Sequence, residues 1–288
     1  MSRRLLIVVL LVAASACKSE SRPPPPSPPP PAAPPPPAVD WARAVPASPK
    51  GGATEPGYVG SAECRACHDK VSDSYAHHGM ARTGVRPLAE LDRAWLAKVF
   101  AAAAPVRDAR SGYSYRPYRE GEHFFVEETQ PGGHTWVQPI THAIGSGDTG
   151  MAFYTRSGDR FFQIPLDWFP RTGAWGLDPG FTQTNLRFFF ALDATCIACH
   201  TDPPRRSPTA AEVFFEPLPA GVGCERCHGA GAKHVASSKR EDIVNTKRLT
   251  AQQQIEICEQ CHQDTASVYL PGTEPFGYRP GDPLDGFR

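Results

Sequence analysis

The chain has 288 residues, of which 40% are hydrophobic, and its 30 Lys and Arg residues balance 30 Asp and Glu residues. A chain with no net charge has no general electrostatic attraction for nucleic acid, so composition gives no reason to expect that partner. The length suits one large domain or two small ones. The first fifty or so residues are unsuited to packing, which leaves about 240 residues to fold.

The N-terminal residues 1–16 have the pattern of a secretory signal peptide. Arg3 and Arg4 precede an apolar run from Leu5 to Val12, and small residues follow from Ala13. The apolar run is shorter than the roughly 20 residues that span a bilayer, so a membrane helix is the weaker alternative. The sequence therefore predicts export.

A cysteine, Cys17, follows this leader. The sequence Ala-Ser-Ala-Cys at residues 14–17 resembles the lipobox at which bacterial lipoproteins are cleaved and acylated on the cysteine, although Ala14 stands where Leu is usual. Lys18 resembles the residue found in lipoproteins sorted to the outer membrane. We therefore predict a periplasmic lipoprotein anchored to the outer membrane through Cys17. An ordinary signal peptide that ends at Cys17 is the alternative.

Residues 17–55 are expected to form a linker. Twelve of the fifteen residues from Pro23 to Pro37 are proline, which removes backbone donors and prevents a helix or a sheet. Such a segment favours an extended polyproline II spacer, which at about 3.1 Å per residue reaches roughly 45 Å. Plain disorder without a spacing role is the alternative.

Four Cys-x-x-Cys-His motifs occur in the remaining residues, 56–288. Their residues are Cys64, Cys67 and His68; Cys196, Cys199 and His200; Cys224, Cys227 and His228; and Cys258, Cys261 and His262. Two thiols at this spacing reach the two vinyl groups of one porphyrin as thioethers, and the adjacent histidine falls beneath the iron as its proximal ligand. Zinc knuckles, thioredoxin-like pairs and disulfides do not require that histidine. The sequence therefore predicts one domain with four covalently bound haem c groups.

Two segments near the motifs are predicted to be helical. One carries an amphipathic stripe formed by Leu88, Leu91, Trp95 and Val99. The other begins at Thr250, which with Gln253 forms a capping box just before the fourth motif.

Other segments between the first and second motifs have strand-like sequences. Residues 113–118 are expected to pair with 123–128, and residues 151–156 with 161–164, across short turns. The aromatic residues at 168–169 and 188–190 are expected to pack against haem faces. We therefore predict a mainly α fold with small β-hairpins, organised around four stacked haems and with little other regular structure.

Electron-carrying haem irons usually have two axial ligands, so up to four ligands are needed besides the proximal histidines. His234 lies six residues after His228, beyond a glycine-containing stretch that allows it to turn toward a neighbouring haem. His142 precedes a loop signal at residues 144–147 and is the second candidate.

The remaining histidines divide into a cluster and two isolated residues. His77, His78 and Met80 form the cluster, and we expect one ligand from it because neighbours on a helix point about 100° apart. His123 and His134 are expected to be solvated. One haem is therefore expected to be five-coordinate or served by a residue that the sequence does not identify.

Several segments together resemble the cytochrome c-554-like multihaem family. They are Tyr58-Val59-Gly60-Ser61, Tyr75, Met80, Ile144-Gly145-Ser146-Gly147, the third motif with Gly229-Ala230-Gly231 and His234, and Tyr278-Arg279-Pro280-Gly281. The resemblance covers roughly residues 58–288. It implies a mainly helical tetrahaem head with closely stacked haem pairs, mostly bis-histidine iron and one haem without a strong distal ligand.

The resemblance also implies a ligand for each haem. By position, His142 serves the first haem, His234 the fourth, and the cluster from His78 to Met80 the third, while the haem of His200 is open. Methionine at Met80, where the family often has histidine, favours His/Met ligation and a higher potential.

The leading functional prediction is an electron-transfer protein that passes single electrons between redox partner proteins and has no catalytic residues. The alternative is an oxidoreductase that acts on a small nitrogen or oxygen species at the open haem of His200, which needs an acid/base group above the iron. A haem-based sensor or structural subunit is a third possibility.

Overall fold

The computed structural model describes residues 56–101, 103–207, 210, 212–214, 216–263 and 268–288. The predicted leader, Cys17 and the proline-rich linker lie outside the described residues. In the described part of the chain, no helix combines the length and the apolar character needed to cross a bilayer.

The prediction of a mainly α fold with little other regular structure is wrong, because two antiparallel sheets fill the region between the first and second motifs. The strands in chain order are β1 Val85–Pro87, β2 Val106–Arg107, β3 Ser114–Glu120, β4 His123–Thr129, β5 Thr135–Ile140, β6 His142–Ile144, β7 Met151–Ser157, β8 Arg160–Phe169 and β9 Ala174–Leu177. Five strands form one sheet in the order β1-β6-β7-β8-β9, and four form the other in the order β2-β3-β4-β5.

Both predicted hairpins are confirmed, and they are the centres of the two sheets. Strand β3 pairs with β4 from Ser114 opposite Thr129 to Glu120 opposite His123. Strand β7 pairs with β8, and the hairpin turn follows the pair formed by Ser157 and Arg160. Each hairpin has a glycine with positive φ in its two-residue turn, which is the conformation that such tight turns require.

The two sheets share a hydrophobic core. Phe100 is buried between them, with its ring centre 4.6 Å from that of Phe124 in the four-stranded sheet and 5.8 Å from that of Phe153 in the five-stranded sheet. Trp175 completes this aromatic centre at 5.2 Å from Phe100. The sheets are therefore fixed to each other by large aromatic side chains, whose burial contributes most of a core's stability.

The helices are short and lie mainly around the motifs. They are α1 Ser61–Arg65, α2 Asp69–Ala76, α3 Arg93–Val99, α4 Ala194–Ile197, α5 Glu225–His228, α6 Ala232–Ser237 and α7 Ala251–Glu259, with 3₁₀ turns at Gly79–Arg82, Leu88–Glu90, Pro179–Phe181, Arg240–Asp242, Thr246–Arg248 and Leu284–Gly286. The predicted capping box of Thr250 and Gln253 is present at the start of α7.

The predicted stripe from Leu88 to Val99 is interrupted. A 3₁₀ turn ends at Glu90, and α3 begins afresh because the Asp92 side chain accepts a hydrogen bond from the backbone N–H of Trp95. Aspartate in this position caps a helix N-terminus, so it divides the segment in two.

A second apolar cluster joins the five-stranded sheet to the second motif. Tyr154 and Phe161 of the sheet pack with Ile197 of α4 and with Phe276 near the C-terminus, all of them buried. The sheet thereby supports the turn that carries Cys196 and His200.

One carboxyl group is buried in the five-stranded sheet without full hydrogen bonding. Asp167 on β8 is 8% exposed, and its Oδ1 has no hydrogen-bond partner. Burial, and then the nearby carboxylate of Asp178, raise the pKa of Asp167 to about 9. Below that pH the folded protein therefore holds a proton that the unfolded chain loses near pH 4.

Folding stability is expected to fall as pH rises between those two values. The slope is about 1.4 kcal/mol per pH unit, because the folded state binds one proton more than the unfolded state. Urea unfolding of the holoprotein at about pH 6 and about pH 8 measures it. Asp167→Asn is expected to remove the slope, and Asp159→Asn in an exposed turn is the control. An equal slope in wild type and Asp167→Asn would contradict the assignment.

Candidate haem sites

Three of the four motifs share one backbone hydrogen-bonding pattern. The N–H of His68 donates to the carbonyl of Cys64 at 3.0 Å, and the same bond closes the third and fourth motifs at 3.0 and 2.8 Å. This turn places the two cysteines of a motif one helical turn apart on the same side, with the histidine beside them. In the second motif the N–H of His200 donates instead to the carbonyl of Ile197, at 2.8 Å.

The side chains of the motifs have the chemistry that haem c attachment needs. All eight motif cysteines are free thiols. Nδ1 of His228 is 2.9 Å from the carbonyl oxygen of Val244, and Nδ1 of His200 is 2.8 Å from the hydroxyl of Thr83. Engagement of Nδ1 orients an imidazole and leaves Nε2 available for a metal. Burial lowers the pKa of His200, which favours the neutral form that binds iron.

The structure brings His234 next to His68 of the first motif. The two ring centres are 6.3 Å apart and the ring planes differ by 20°. This separation is too long for direct ring contact, but it leaves room between the rings, and the two imidazoles would together hold one haem iron. Nδ1 of His234 is 2.8 Å from the carbonyl oxygen of Lys239, so its Nε2 is the nitrogen left for a metal.

The short helices that carry this histidine pair also expose apolar side chains. Val71 on α2 is 69% exposed and Val235 on α6 is 46% exposed. A porphyrin is a large apolar disc, and side chains of this kind supply the contact surface that it needs. The residues of the first motif and of α6 therefore fit a haem.

His142 lies in a different environment. It is 4% exposed on β6, with Nδ1 2.9 Å from the hydroxyl of Thr141 and Nε2 3.0 Å from Oε1 of Glu216. Arg156 donates to the other oxygen of Glu216 at 2.9 Å. The pKa of Glu216 is lowered by the hydrogen bond with His142 and by the charge of Arg156. Both ring nitrogens of His142 are engaged, so neither is free for an iron in this conformation.

In the cluster after the first motif, His77 and His78 are exposed and Met80 is half-buried. The ring of His78 stacks on Tyr75, with centres 5.8 Å apart, and its Nδ1 accepts a hydrogen bond from the backbone N–H of Met80. His77 caps the end of α2. His123 and His134, which we expect to be solvated, are both exposed.

The motifs are held against each other in pairs. In the first pair, the third-motif carboxylate of Glu225 accepts hydrogen bonds from the backbone N–H groups of Val59, Gly60 and Gly231, at 3.0, 2.7 and 2.7 Å. Burial and the neighbouring thiol of Cys224 raise the pKa of Cys64 to about 12. The first and third attachment turns are therefore in direct contact.

The second and fourth motifs form the other pair. The Cys199 thiol donates to the carbonyl of Gln260 and the Cys261 thiol donates to the carbonyl of Ala198, both at 3.9 Å. The interaction between the two thiols lowers the pKa of Cys199 and raises that of Cys261. The third motif joins this pair, because Arg226 donates to the carbonyl of Ala198 at 2.9 Å and Gln260 donates to the carbonyl of Arg226 at 3.0 Å. The third motif thus contacts all three others.

Sequence reasoning missed the residues that make these connections. Glu225 and Arg226 are the two variable positions of the third motif, and both are buried. The sequence contained one signal for them, which is a pair of charged residues between the two cysteines of a motif. A side chain at either position can contact the segment that packs beside the attachment turn. Their partners lie too far away in sequence to be identified by spacing.

Comparisons with known proteins bear on the same segments. Residues 183–229, which include the second and third motifs, match the family model described as cytochrome c554 and c-prime. No curated protein matches the chain. The match confirms the predicted resemblance over these residues, and it supports covalently bound haem c.

Two solved structures are also similar to the chain. The outer cell wall cytochrome OcwA is 20% identical with a TM-score of 0.45, over 80% of this chain and 44% of that one. The undecahaem cytochrome from the S-layer of Carboxydothermus ferrireducens is 19% identical with a TM-score of 0.39, over 71% of this chain and 25% of that one. This chain therefore corresponds to less than half the length of either protein.

Proposed function

We propose that this protein is a tetrahaem electron carrier, which binds haem c at its four motifs and passes single electrons between redox partner proteins. The observation that carries the proposal is the contact of the third attachment turn with the other three. Haems bound to touching turns lie close together, and close spacing is what successive one-electron transfers require. When bound, the haems supply the redox chemistry, and the chain supplies ligands, spacing and charge.

For the first haem we propose axial ligation by His68 and His234. The separation and orientation of the two rings support this pair, whereas the resemblance places His142 on the first haem and His234 on the fourth. For the other haems we propose His200, His228 and His262 as proximal ligands, with one distal ligand from His78 or Met80.

The cellular location is also a proposal. Residues 1–16 act as an export signal, Cys17 carries the lipid anchor, and residues 17–55 separate the membrane from the haem domain. The motifs support an extracytoplasmic location, because haem c is attached outside the cytoplasm in the compartment that the leader predicts. Palmitate labelling of wild type, compared with Cys17→Ser, tests the anchor.

Reoxidation of the fully reduced protein tests the electron-carrier function. The full chain is produced with haem attachment, reduced chemically, and mixed with a ferric monohaem cytochrome c as acceptor. We expect four electrons to be delivered per molecule. Failure to attach four haems, or to deliver the electrons, would refute the proposal. A high-spin haem that binds carbon monoxide strongly would favour the enzyme alternative at His200.

Removal of His234 is expected to change the first haem and no other. His234→Ala leaves that iron with one protein ligand, so one low-spin signal should be replaced by a high-spin signal that responds to carbon monoxide. His142→Ala is the matched control and is expected to leave all spin states unchanged, because its ring nitrogens bind Glu216 and Thr141. A change of spin state in both variants would favour the ligands implied by the resemblance, in which His142 serves the first haem and His234 the fourth.

A further inference from the structure

A buried arginine lies where three of the attachment turns meet. Arg226 is 3% exposed, and its guanidinium is 5.3 Å from the ring centre of Phe276. One nitrogen, Nη2, donates to the carbonyl of Ala198, but Nε and Nη1 are buried without a hydrogen-bond partner. A charged group in this position is poorly solvated, so its electrostatic effect on its surroundings is large.

The charge of Arg226 is not neutralised by an ion pair among the described residues. The carboxylate of Glu225 is engaged by backbone N–H groups of three residues. Asp202 is near enough for its pKa to respond to Arg226, but its oxygens bind the N–H of Gly223 and the hydroxyl of Ser61.

A second guanidinium adds to the positive charge. Arg288 donates to the carbonyl of Gln260 at 2.5 Å and to the hydroxyl of Tyr269, while its Nε is buried without a partner. The carbonyl of Ala198, to which Arg226 donates, also accepts from the Cys261 thiol at 3.9 Å. The carbonyl of Gln260, to which Arg288 donates, also accepts from the Cys199 thiol at 3.9 Å. These two sulfurs are the places where haems attach at the second and fourth motifs.

We propose that Arg226, assisted by Arg288, raises the reduction potentials of the haems at the second and fourth motifs above the values that their ligands alone would give. Reduction adds one negative charge to a haem, and a nearby buried cation stabilises that charge. Arg226 is a positioned charge and not a ligand. The inference rests on the proposed tetrahaem carrier. Within that carrier, electrons would reside preferentially on the haems of the second and fourth motifs.

Optical redox titration of the holoprotein tests this inference. In Arg226→Gln we expect two of the four haems to shift to lower potential. At a fixed applied potential, their ratio of reduced to oxidised form should fall about tenfold, which is about 59 mV for a one-electron couple. Arg226→Lys keeps the charge and is expected to restore most of the shift. Arg107→Gln, at an exposed position on β2, is the control and should leave all four potentials unchanged.

Three results would overturn the inference. They are unchanged potentials in Arg226→Gln, an equal shift of all four haems, and a shift in Arg226→Lys as large as in Arg226→Gln. Unchanged potentials would mean that a haem propionate or another anion neutralises the guanidinium. Haem content is measured in parallel. Failure of the wild type to attach four haems refutes the proposed carrier itself, whereas unchanged reduction potentials in a variant that retains four haems refute only the inference about Arg226. If Arg226→Gln does not retain four haems, Arg288→Gln decides the question and should shift the same two haems in the same direction.

Discussion

Replacement of Glu225 with glutamine is expected to destabilise the holoprotein by about 3–5 kcal/mol. The carboxylate is 1% exposed and accepts hydrogen bonds from the backbone N–H groups of Val59, Gly60 and Gly231. Hydrogen bonds to a charged group are worth about 1.5–3 kcal/mol each, and an amide presents a donor to at least one N–H that needs an acceptor. Urea unfolding followed by the haem absorption band measures the loss.

The fourth motif offers a matched control for this experiment. Glu259 also follows the first cysteine of its motif, but it is half-exposed at the end of α7. Glu259→Gln should therefore change stability by less than about 0.5 kcal/mol. Equal effects of the two substitutions would show that Glu225 does not connect the first and third motifs. Hydrogen exchange at Val59 and Gly60 should quicken in Glu225→Gln alone.

Loss of the Arg187 side chain is expected to cost about 3–5 kcal/mol of folding stability. Its partner Glu128 is completely buried, and the guanidinium Nε of Arg187 donates to the two carboxylate oxygens at 3.1 and 2.9 Å. The guanidinium also lies over the rings of Tyr113 and Trp136. Arg187→Ala leaves a carboxylate without a counter-charge in the core of the four-stranded sheet, which is strongly unfavourable.

Two further variants separate this effect from simple loss of packing. Glu128→Gln combined with Arg187→Met removes both charges, so it should recover most of the stability lost in Arg187→Ala. Arg116→Met removes the more exposed ion pair with Glu127 on the same sheet and should cost at most about 1 kcal/mol. Equal losses in Arg187→Ala and Arg116→Met, measured by urea unfolding, would contradict the prediction.

The sequence predicts those parts of the fold that depend on local patterns. The two hairpins follow from alternating strands around glycine turns, and the start of α7 follows from the Thr250 capping box. The extent of the sheets does not follow from local patterns. Strand β8 is a nearly continuous buried run from Phe161 to Trp168, in which apolar and polar residues do not alternate. Strand β1 pairs with β6, more than fifty residues later, through contacts that no periodicity reveals.

The haem motifs likewise combine features that the local sequence reveals with features that depend on the complete fold. Cys-x-x-Cys-His spacing identifies each attachment turn because the two thiols and the imidazole act within five residues. The glycine-containing stretch before His234 predicts that this residue turns away from its own motif, and in the structure its ring lies beside that of His68. Its neighbour, His68, is fixed by contacts between the third motif and residues 59–60, and those contacts depend on the complete fold. The loop signal beside His142 likewise does not reveal its buried partner Glu216.

The contact between Glu225 and Val59 spans 166 residues of the chain. Contacts of such long range form late in folding, because the entropy of closing the loop must be overcome first. During synthesis the first motif therefore emerges well before the third motif that fixes it. On the proposed function, this order leaves Cys64 and Cys67 exposed for haem attachment before Glu225 fixes the turn that carries them.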